Sequence, residues 1–203
     1  AGLISYAESF GKSRDWYAEA SFDWKRDFDL HHLSALALYN QSKTYYPDSD
    51  YPGIPRGYVG LVGRVTYDYD NKYLIEGNVG YNGSENFAPG HRFGFFPAFS
   101  LGWVVSEESF FNTSVVDYLK LRASYGLVGN DQIGGDRFLY LSLWQSADDG
   151  QFGYPNPTGG GGGVNEKRTG NESLTWEKAK KFNFGVDTRL FRSQLELTAD
   201  VFY

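Results

Sequence analysis

The amino-acid sequence predicts an all-β fold, an antiparallel transmembrane β-barrel, and three observations carry that prediction. Segments of about ten residues alternate apolar and polar side chains with a period of two, as a strand with one wet and one greasy face does. Their connections alternate between short and long, which is the pattern of a barrel with tight turns on one side of a membrane and long loops on the other. Aromatics make up 18% of the 203 residues and glycine supplies 25, against 7 prolines and no methionine. That mixture suits strands, tight turns and aromatic belts better than helices.

The first strand is "WYAEASFDWK", with Trp16, Ala18, Ala20, Phe22 and Trp24 opposite Tyr17, Glu19, Ser21, Asp23 and Lys25. After a break over residues 26–29, "LHHLSALALYN" is apolar on both faces and reads only weakly as a strand. A polar loop with three prolines follows, "SKTYYPDSDYPGIPRG". The third strand sets Val59, Leu61, Val65 and Tyr67 against Arg64, Thr66 and Asp68. Beyond a turn at Asp70-Asn71, the fourth sets Tyr73, Ile75, Val79 and Tyr81 against Glu76, Asn78 and Asn82. The fifth, after "GSENFAPGHR", carries Phe95, Phe99, Leu101 and Trp103 opposite Ala98, Ser100 and Gly102.

"KLRASYGLVGN" is the sixth strand, separating Leu119, Leu121, Ala123, Tyr125 and Leu127 from Lys120, Arg122, Ser124 and Gly126. A glycine-rich excursion over residues 129–174 is expected to be a long extracellular loop, with one strand-like piece, "RFLYLSLW". Two last strands close the sequence. Phe182, Phe184 and Val186 oppose Lys181, Asn183, Asp187 and Arg189, and Leu195, Leu197, Ala199 and Val201 oppose Glu196, Thr198 and Asp200.

A soluble β-sandwich would alternate in the same way. Outside the second strand, no charge falls on a greasy face, where an Arg or Lys at mid-bilayer would cost roughly 2–4 kcal/mol. Trp16, Trp24, Tyr67, Tyr73, Tyr81, Trp103 and Tyr125 are expected near strand ends, where aromatic girdles sit. The segments also match the roughly 9–11 residues of a membrane crossing, against about 5–6 in most globular sheets.

Composition narrows the function classes. There is no cysteine, so neither a disulfide framework nor thiol chemistry is available, and the net charge of -6 speaks against a nucleic-acid partner. No apolar run reaches the roughly 20 residues of a membrane helix, a test to which an alternating barrel is blind. No secretory leader is recognisable, so any signal peptide is expected outside this chain.

No catalytic, cofactor-binding or metal-ligating constellation emerges. His31, His32 and His91 lack partners at ligand spacing, and "DYDN" at residues 68–71 lacks the glycine and distal glutamate of a calcium loop. "TGGGGGVNE" has no Lys-Ser/Thr signature and opens no helix, so it is expected as an external loop and not a phosphate cradle. Sequons at Asn40, Asn82, Asn112 and Asn171 would matter only in a eukaryotic secreted protein. Aromatics in the expected external loops, Tyr45, Tyr46, Trp144, Phe152 and Tyr154, are candidates to stack on a ligand, with packing among the loops themselves as the alternative.

Several segments together resemble the SusC/RagA-type family of TonB-dependent outer-membrane transporters. They are "GLVGRVTYDYDNKYLIEG", "NGSENF", "RFGFFPAFSLGWVVSEESF", "LKLRASYGLVGN", "TGNESLTWEKAKKFNFGVD" and "LELTADVFY". Their order and spacing agree over most of residues 57–203, and the first fifty residues match more loosely. Where the family usually has a basic and an acidic residue before Gly83-Ser84, this chain has Tyr81 and Asn82, and the arginine usual near position 86 is Asn86. Those departures put in doubt any salt bridge at that strand end.

The resemblance implies that residues 1–203 are about eight strands of a barrel of roughly 22. The plug domain and signal peptide of such a protein would lie outside this chain. It further implies import of oligosaccharides, glycans or peptides across the Gram-negative outer membrane, driven by TonB, with a SusD-like surface lipoprotein as lid, outer-membrane lipid around the wall, and no enzymatic activity or cofactor. Two alternatives remain from the residues alone: a small closed eight-stranded outer-membrane barrel, and a soluble glycan-binding β-sandwich.

Overall fold

The computed structural model describes residues 11–46, 53–133, 137–147 and 163–203. Its main body is one antiparallel sheet of eight strands in the order β1 (Arg14–Phe28), β2 (His31–Tyr45), β3 (Arg56–Tyr69), β4 (Tyr73–Ser84), β5 (Phe93–Val104), β6 (Val116–Asn130), β9 (Glu177–Leu190) and β10 (Leu195–Phe202). A hairpin of β7 (Leu143–Ala147) and β8 (Gly163–Arg168) stands apart as a second small sheet. All eight main strands are those read from the sequence. The piece "RFLYLSLW" forms turns through most of its length and becomes strand only at Leu143.

Each strand pairs with its sequence neighbour, and β6 pairs with β9 across the long excursion. β1 and β10 are the two ends of the sheet; no pairing joins them. A closed eight-stranded barrel would require that pairing, and a sandwich would require a second sheet packed on this one. The architecture is instead an arc of a larger barrel wall.

The strands run longer than the alternation suggested. β1 and β2 have 15 residues each, and the expected break over residues 26–29 shrinks to a turn at Asp29 and Leu30, with Asp29 at φ 56°. Asp70 and Asn71 also take positive φ, 52° and 56°, which asparagine and aspartate tolerate in tight hairpin turns. Adjacent turns are tied together: the Asp70 N–H donates to the Leu30 carbonyl at 2.7 Å, and the Val104 N–H to the Lys72 carbonyl at 2.8 Å. This end of the sheet is therefore tight, and by the barrel rule it faces the periplasm.

Register decides which side chains share a face. The row Trp24–Ala35–Val65–Gly77–Phe99–Tyr125–Phe182 crosses seven strands, and Leu33–Tyr67–Ile75–Leu101–Ala123–Phe184–Val201 runs beside it. The sheet thus carries one continuous apolar face. Phe99 and Leu101 remain 60% and 58% exposed, so no protein core covers them. A soluble protein of this size would bury such side chains, whereas lipid covers them without a second layer.

The same register resolves β2: Leu33, Ala35, Ala37 and Tyr39 lie on the apolar face, and Leu36 and Leu38 on the polar one. Two details differ from the sequence reading. Trp24 and Tyr125 sit within the body of their strands in the Phe99 row, not at an end, because β6 and β1 extend beyond the greasy runs. The longer strands also bring charges onto the outward face near their tips: Arg14, Arg26, Lys43, Lys178 and Lys180.

At the periplasmic rim Tyr73 and Trp103 are cross-strand partners on the outward face, and both donate to one carboxylate. The Tyr73 hydroxyl and the Trp103 Nε1–H, at 3.0 Å, reach Glu108 Oε1 just past a 3-10 turn over Val105–Glu107. These donors, with the Lys72 charge nearby, hold the Glu108 carboxyl below its ordinary range. Its stabilising contribution is present above the ordinary carboxylate value and is lost as pH falls through the lower folded one.

Two predictions follow from this geometry. Cysteines at Val65, Leu101 and Leu121 react with a lipid-soluble thiol reagent and resist a water-soluble one, and cysteines at Arg64, Ser100 and Arg122 do the reverse; inverted labelling would mean the register is displaced by one residue. In an acid titration, tryptophan emission shows a step below pH 4.5 that the Glu108→Gln variant lacks. Identical titration curves would remove Glu108 from the rim.

Candidate functional site

The polar face of the sheet is the inner wall of the arc. It is built from the residues that alternate with the lipid-facing ones, and the register gathers them in rows. Thr66, Glu76, Ser100, Ser124 and Asn183 lie across five strands. They border a shallow depression that also contains Arg122 and Gly185. Ser34 and Thr66 hydrogen-bond across β2 and β3, and Asn78 Nδ2 donates to Glu76 Oε1 at 2.6 Å.

Arg122 is the organising charge of this wall. Its Nη2 donates to Asp187 Oδ1 at 3.0 Å, and its Nε lies 2.7 Å from Asp187 Oδ2 as a close charge contact. Nη2 also reaches Asp200 at 3.3 Å, and the Thr198 hydroxyl donates to Asp187 Oδ1 at 3.2 Å. Gly185 makes this possible. It lies between Arg122 and Asp200 in the register, and a Cβ there would sit 2.5 Å from Asp200 Oδ1 and 2.9 Å from Arg122 Nη2. The arginine therefore reaches over Gly185 to bind Asp187 on β9 itself and Asp200 on β10 beyond it. The sequence reading placed these residues on the wet face without detecting the constellation, since it spans three strands.

The second polar cluster lies at the long-loop end. Arg137 is buried, with a side chain 4% exposed, and binds two separate segments. It donates to the carbonyls of Ile54 and Pro55, each at 3.1 Å, and pairs with Glu85 at the tip of β4. Nearby, the Ser84 hydroxyl donates to Asp131 Oδ2 at 2.6 Å and Asn86 Nδ2 to the Asp131 carbonyl at 3.1 Å. That strand end carries a salt bridge from Glu85 to Arg137, 52 residues away, and none of Tyr81, Asn82 and Asn86 takes part in it.

Below this rim the β5–β6 pairing stops at Ala98 and Gly126. Phe87, Phe96 and Trp176 form the buried aromatic cluster there, with Leu127 and Leu174 packed against it. The Phe96 ring lies so close to Gly129 that a Cβ would fall 2.1 Å from it. Trp176 Nε1–H donates to the Arg92 carbonyl at 3.0 Å. The long excursion is consequently fastened at its return by Trp176 and near its start by Arg137.

The candidate ligand-binding aromatics are not gathered in one place. Tyr45 ends β2 on the outward face, with Lys43 Nζ 5.2 Å from its ring centroid, and Tyr46 follows at φ 57° with Lys12 over its ring at 4.6 Å. Trp144 stands on the separate hairpin and is 59% exposed. Phe152 and Tyr154 lie outside the described residues, as do most of the consecutive glycines. Among the described residues no cluster of His, Cys, Asp or Glu could hold a metal ion.

A test of the rim follows. Glu85→Gln removes one charged partner of the buried Arg137 guanidinium, which costs about 2 kcal/mol of local stability. The expected readout is faster hydrogen exchange in the segments around residues 53–57 and 137–141, with barrel insertion unchanged. Unaltered exchange would show that the pair does not hold the loops together.

Comparison with known proteins agrees with this geometry. Residues 2–203 match the family model described as TonB dependent receptor-like, beta-barrel. TonB-dependent receptor P39 of Formosa agariphila is 30% identical over 227 residues, covering 98% of this chain and 21% of that protein. TonB-dependent receptor SusC of Bacteroides thetaiotaomicron is 34% identical over 131 residues, covering 64% of this chain and 13% of that protein. Among solved structures, the RagAB peptide transporter superposes with a TM-score of 0.71 at 20% identity, over 94% of this chain and 23% of that one, a likeness of fold. The chain therefore spans between 13% and 23% of the length of these relatives.

Proposed function

The chain belongs to the TonB-dependent receptor-like β-barrel family, and on that premise we propose that it is a section of the wall of a nutrient importer. It is a SusC/RagA-type barrel portion and lies in the outer membrane of a Gram-negative bacterium. In this reading the complete protein imports oligosaccharides, glycans or peptides, powered through TonB, with a SusD-like surface lipoprotein above the loops. The single observation that carries it is the eight-strand register, which makes one side of the sheet apolar between its charged rims and the other a polar wall organised by Arg122. Support for a peptide as one cargo is the likeness of fold to RagAB, a peptide transporter.

Chemically, the arrangement serves passage and not bond-breaking. The inner wall offers hydroxyls, amides and paired charges, and a solute sliding past such groups meets hydrogen-bond partners without a site that grips it tightly. Capture is assigned to the long-loop end, where Trp144 is exposed and the surrounding segments are fastened by Arg137 and Trp176. Tyr45, Tyr46, Phe152 and Tyr154 are the further aromatic candidates for stacking on cargo. Tight capture and fast release conflict unless something changes the site, and that is the part assigned to TonB-driven work.

The test uses the complete protein in its host. Loss of TonB abolishes uptake while the protein remains inserted in the outer membrane, and Trp144→Ala weakens cargo capture by about 1 kcal/mol, roughly fivefold in Kd. Uptake that persists without TonB would overturn the importer reading. Unchanged capture by the Trp144 variant would remove only that residue.

A further inference from the structure

The inner wall is not polar throughout. In its long-loop half the row Leu38–Val62–Gly80–Phe96 crosses β2 to β5 on the lumen side. Each of these four strands has both of its neighbours in the sheet, so the row does not lie at an edge. Gly80 leaves a recess between Val62 and Phe96. A Cβ at Gly80 would meet no atom closer than 3.6 Å, whereas at Gly94 it would fall 2.4 Å from the Phe96 ring. Room for an apolar group therefore exists beside Val62, and Phe96, 8% exposed, borders it.

The next row toward the loops is Asn40–Gly60–Asn82. Gly60 has no side chain to separate the two carboxamides, and both lean over it. A Cβ at Gly60 would lie 2.5 Å from Asn40 Oδ1 and 3.1 Å from Asn82 Oδ1. Asn40 Oδ1 is buried and has no hydrogen-bond partner among the described residues. A buried acceptor without a partner is costly, so this position calls for an N–H or O–H donor.

Residues two apart on a strand are roughly 7 Å apart on one face. The apolar row and the carboxamide row are thus one side-chain repeat of an extended peptide apart. A peptide laid along β3 sets an apolar side chain over Gly80 while an adjoining peptide group meets Asn40 and Asn82. Carboxamides offer both the donor and the acceptor that a backbone C=O and N–H require. A glycan fits less well. Its hydroxyls would meet no polar side chain in the apolar row, and the ring of that row, Phe96, is buried against Trp176 and unavailable for stacking on a sugar.

We propose that Leu38, Val62, Gly80, Asn40 and Asn82 form a subsite on the lumen wall for an extended peptide carrying an apolar side chain. Leu38 and Val62 cover the side chain, and Asn40 and Asn82 bind the peptide group next to it. The inference deepens the importer reading and rests on it, so TonB-dependent uptake is measured separately from peptide selection.

The experiment takes the complete protein, purified from outer membranes in detergent, and incubates it with a random heptapeptide pool. Retained peptides are sequenced by mass spectrometry, with maltoheptaose as the glycan probe. Heat-modifiable migration of the unboiled protein reports folding, and uptake of the same pool is followed in cells with and without TonB. The parent is expected to enrich peptides bearing Leu, Ile, Val or Phe. N40A/N82A is expected to lower retention of all peptides roughly tenfold. G80V fills the recess and is expected to remove the preference for apolar side chains. V79A, on the lipid face beside it, is expected to leave both unchanged.

The proposal fails if the folded parent retains no peptide from the pool, or retains peptides without apolar enrichment. It fails if N40A/N82A and G80V both select like the parent, which would assign these rows to contact with another part of the protein. It fails too if maltoheptaose binds and is lost in the same variants, since the subsite would then be one for glycans. Uptake that proceeds without TonB would overturn the importer reading alone, because selection by the purified parent and variants is read independently. Should one variant not fold, the other still decides.

Discussion

Within hydrocarbon no water is available to pair with backbone N–H and C=O groups, and each unpaired group costs several kcal/mol. The ladder of β1 to β6, β9 and β10 satisfies that constraint for residues inside the sheet, and the other features of the wall depend on it. Fixing the ladder fixes the register. The register then decides which of two neighbouring side chains meets lipid and which meets the lumen, because a displacement of one residue exchanges the faces of a whole strand. Free edges cannot persist in lipid, so β1 and β10, the two ends of this sheet, mark it as an arc of a larger closed wall.

The two faces obey different rules. Outside, Phe99, Leu101 and Phe184 need no partner, since lipid is as apolar as they are. Inside, a lone charge would still draw counter-charge, and Arg122 finds it from Asp187 and Asp200 across a glycine. The cross-strand geometry that separates the faces also concentrates charge where it is tolerated. Cations reach the outward face only where strands outrun the hydrocarbon, at Arg14, Arg26, Lys43, Lys178 and Lys180.

The long-loop end is organised differently from the wall. Its segments have no ladder to join, so they are held by side chains that satisfy backbone carbonyls. Arg137 binds the Ile54 and Pro55 carbonyls and Glu85, and Trp176 binds the Arg92 carbonyl. Phe87, Phe96 and Trp176 fill the place where β5 and β6 stop pairing. A loop surface built in this way can vary in sequence while its points of attachment stay fixed.

Alternation in the sequence was sufficient to determine that the chain is all-β, which eight segments are strands, and which side chains of seven of them share a face. That information is local, since a period of two is set within a single segment. β2 was ambiguous because Leu36 and Leu38 are apolar on the wet side, and only its partners on β1 and β3 settle the matter. Strand length was also underestimated, because polar residues such as Lys178 and Lys180 at a strand tip resemble loop when read singly. The Arg122 constellation and the reach of Arg137 to Ile54 and Glu85 were decided by tertiary structure alone. They join residues between 11 and 83 positions apart, and no spacing within one segment records which strands will lie side by side.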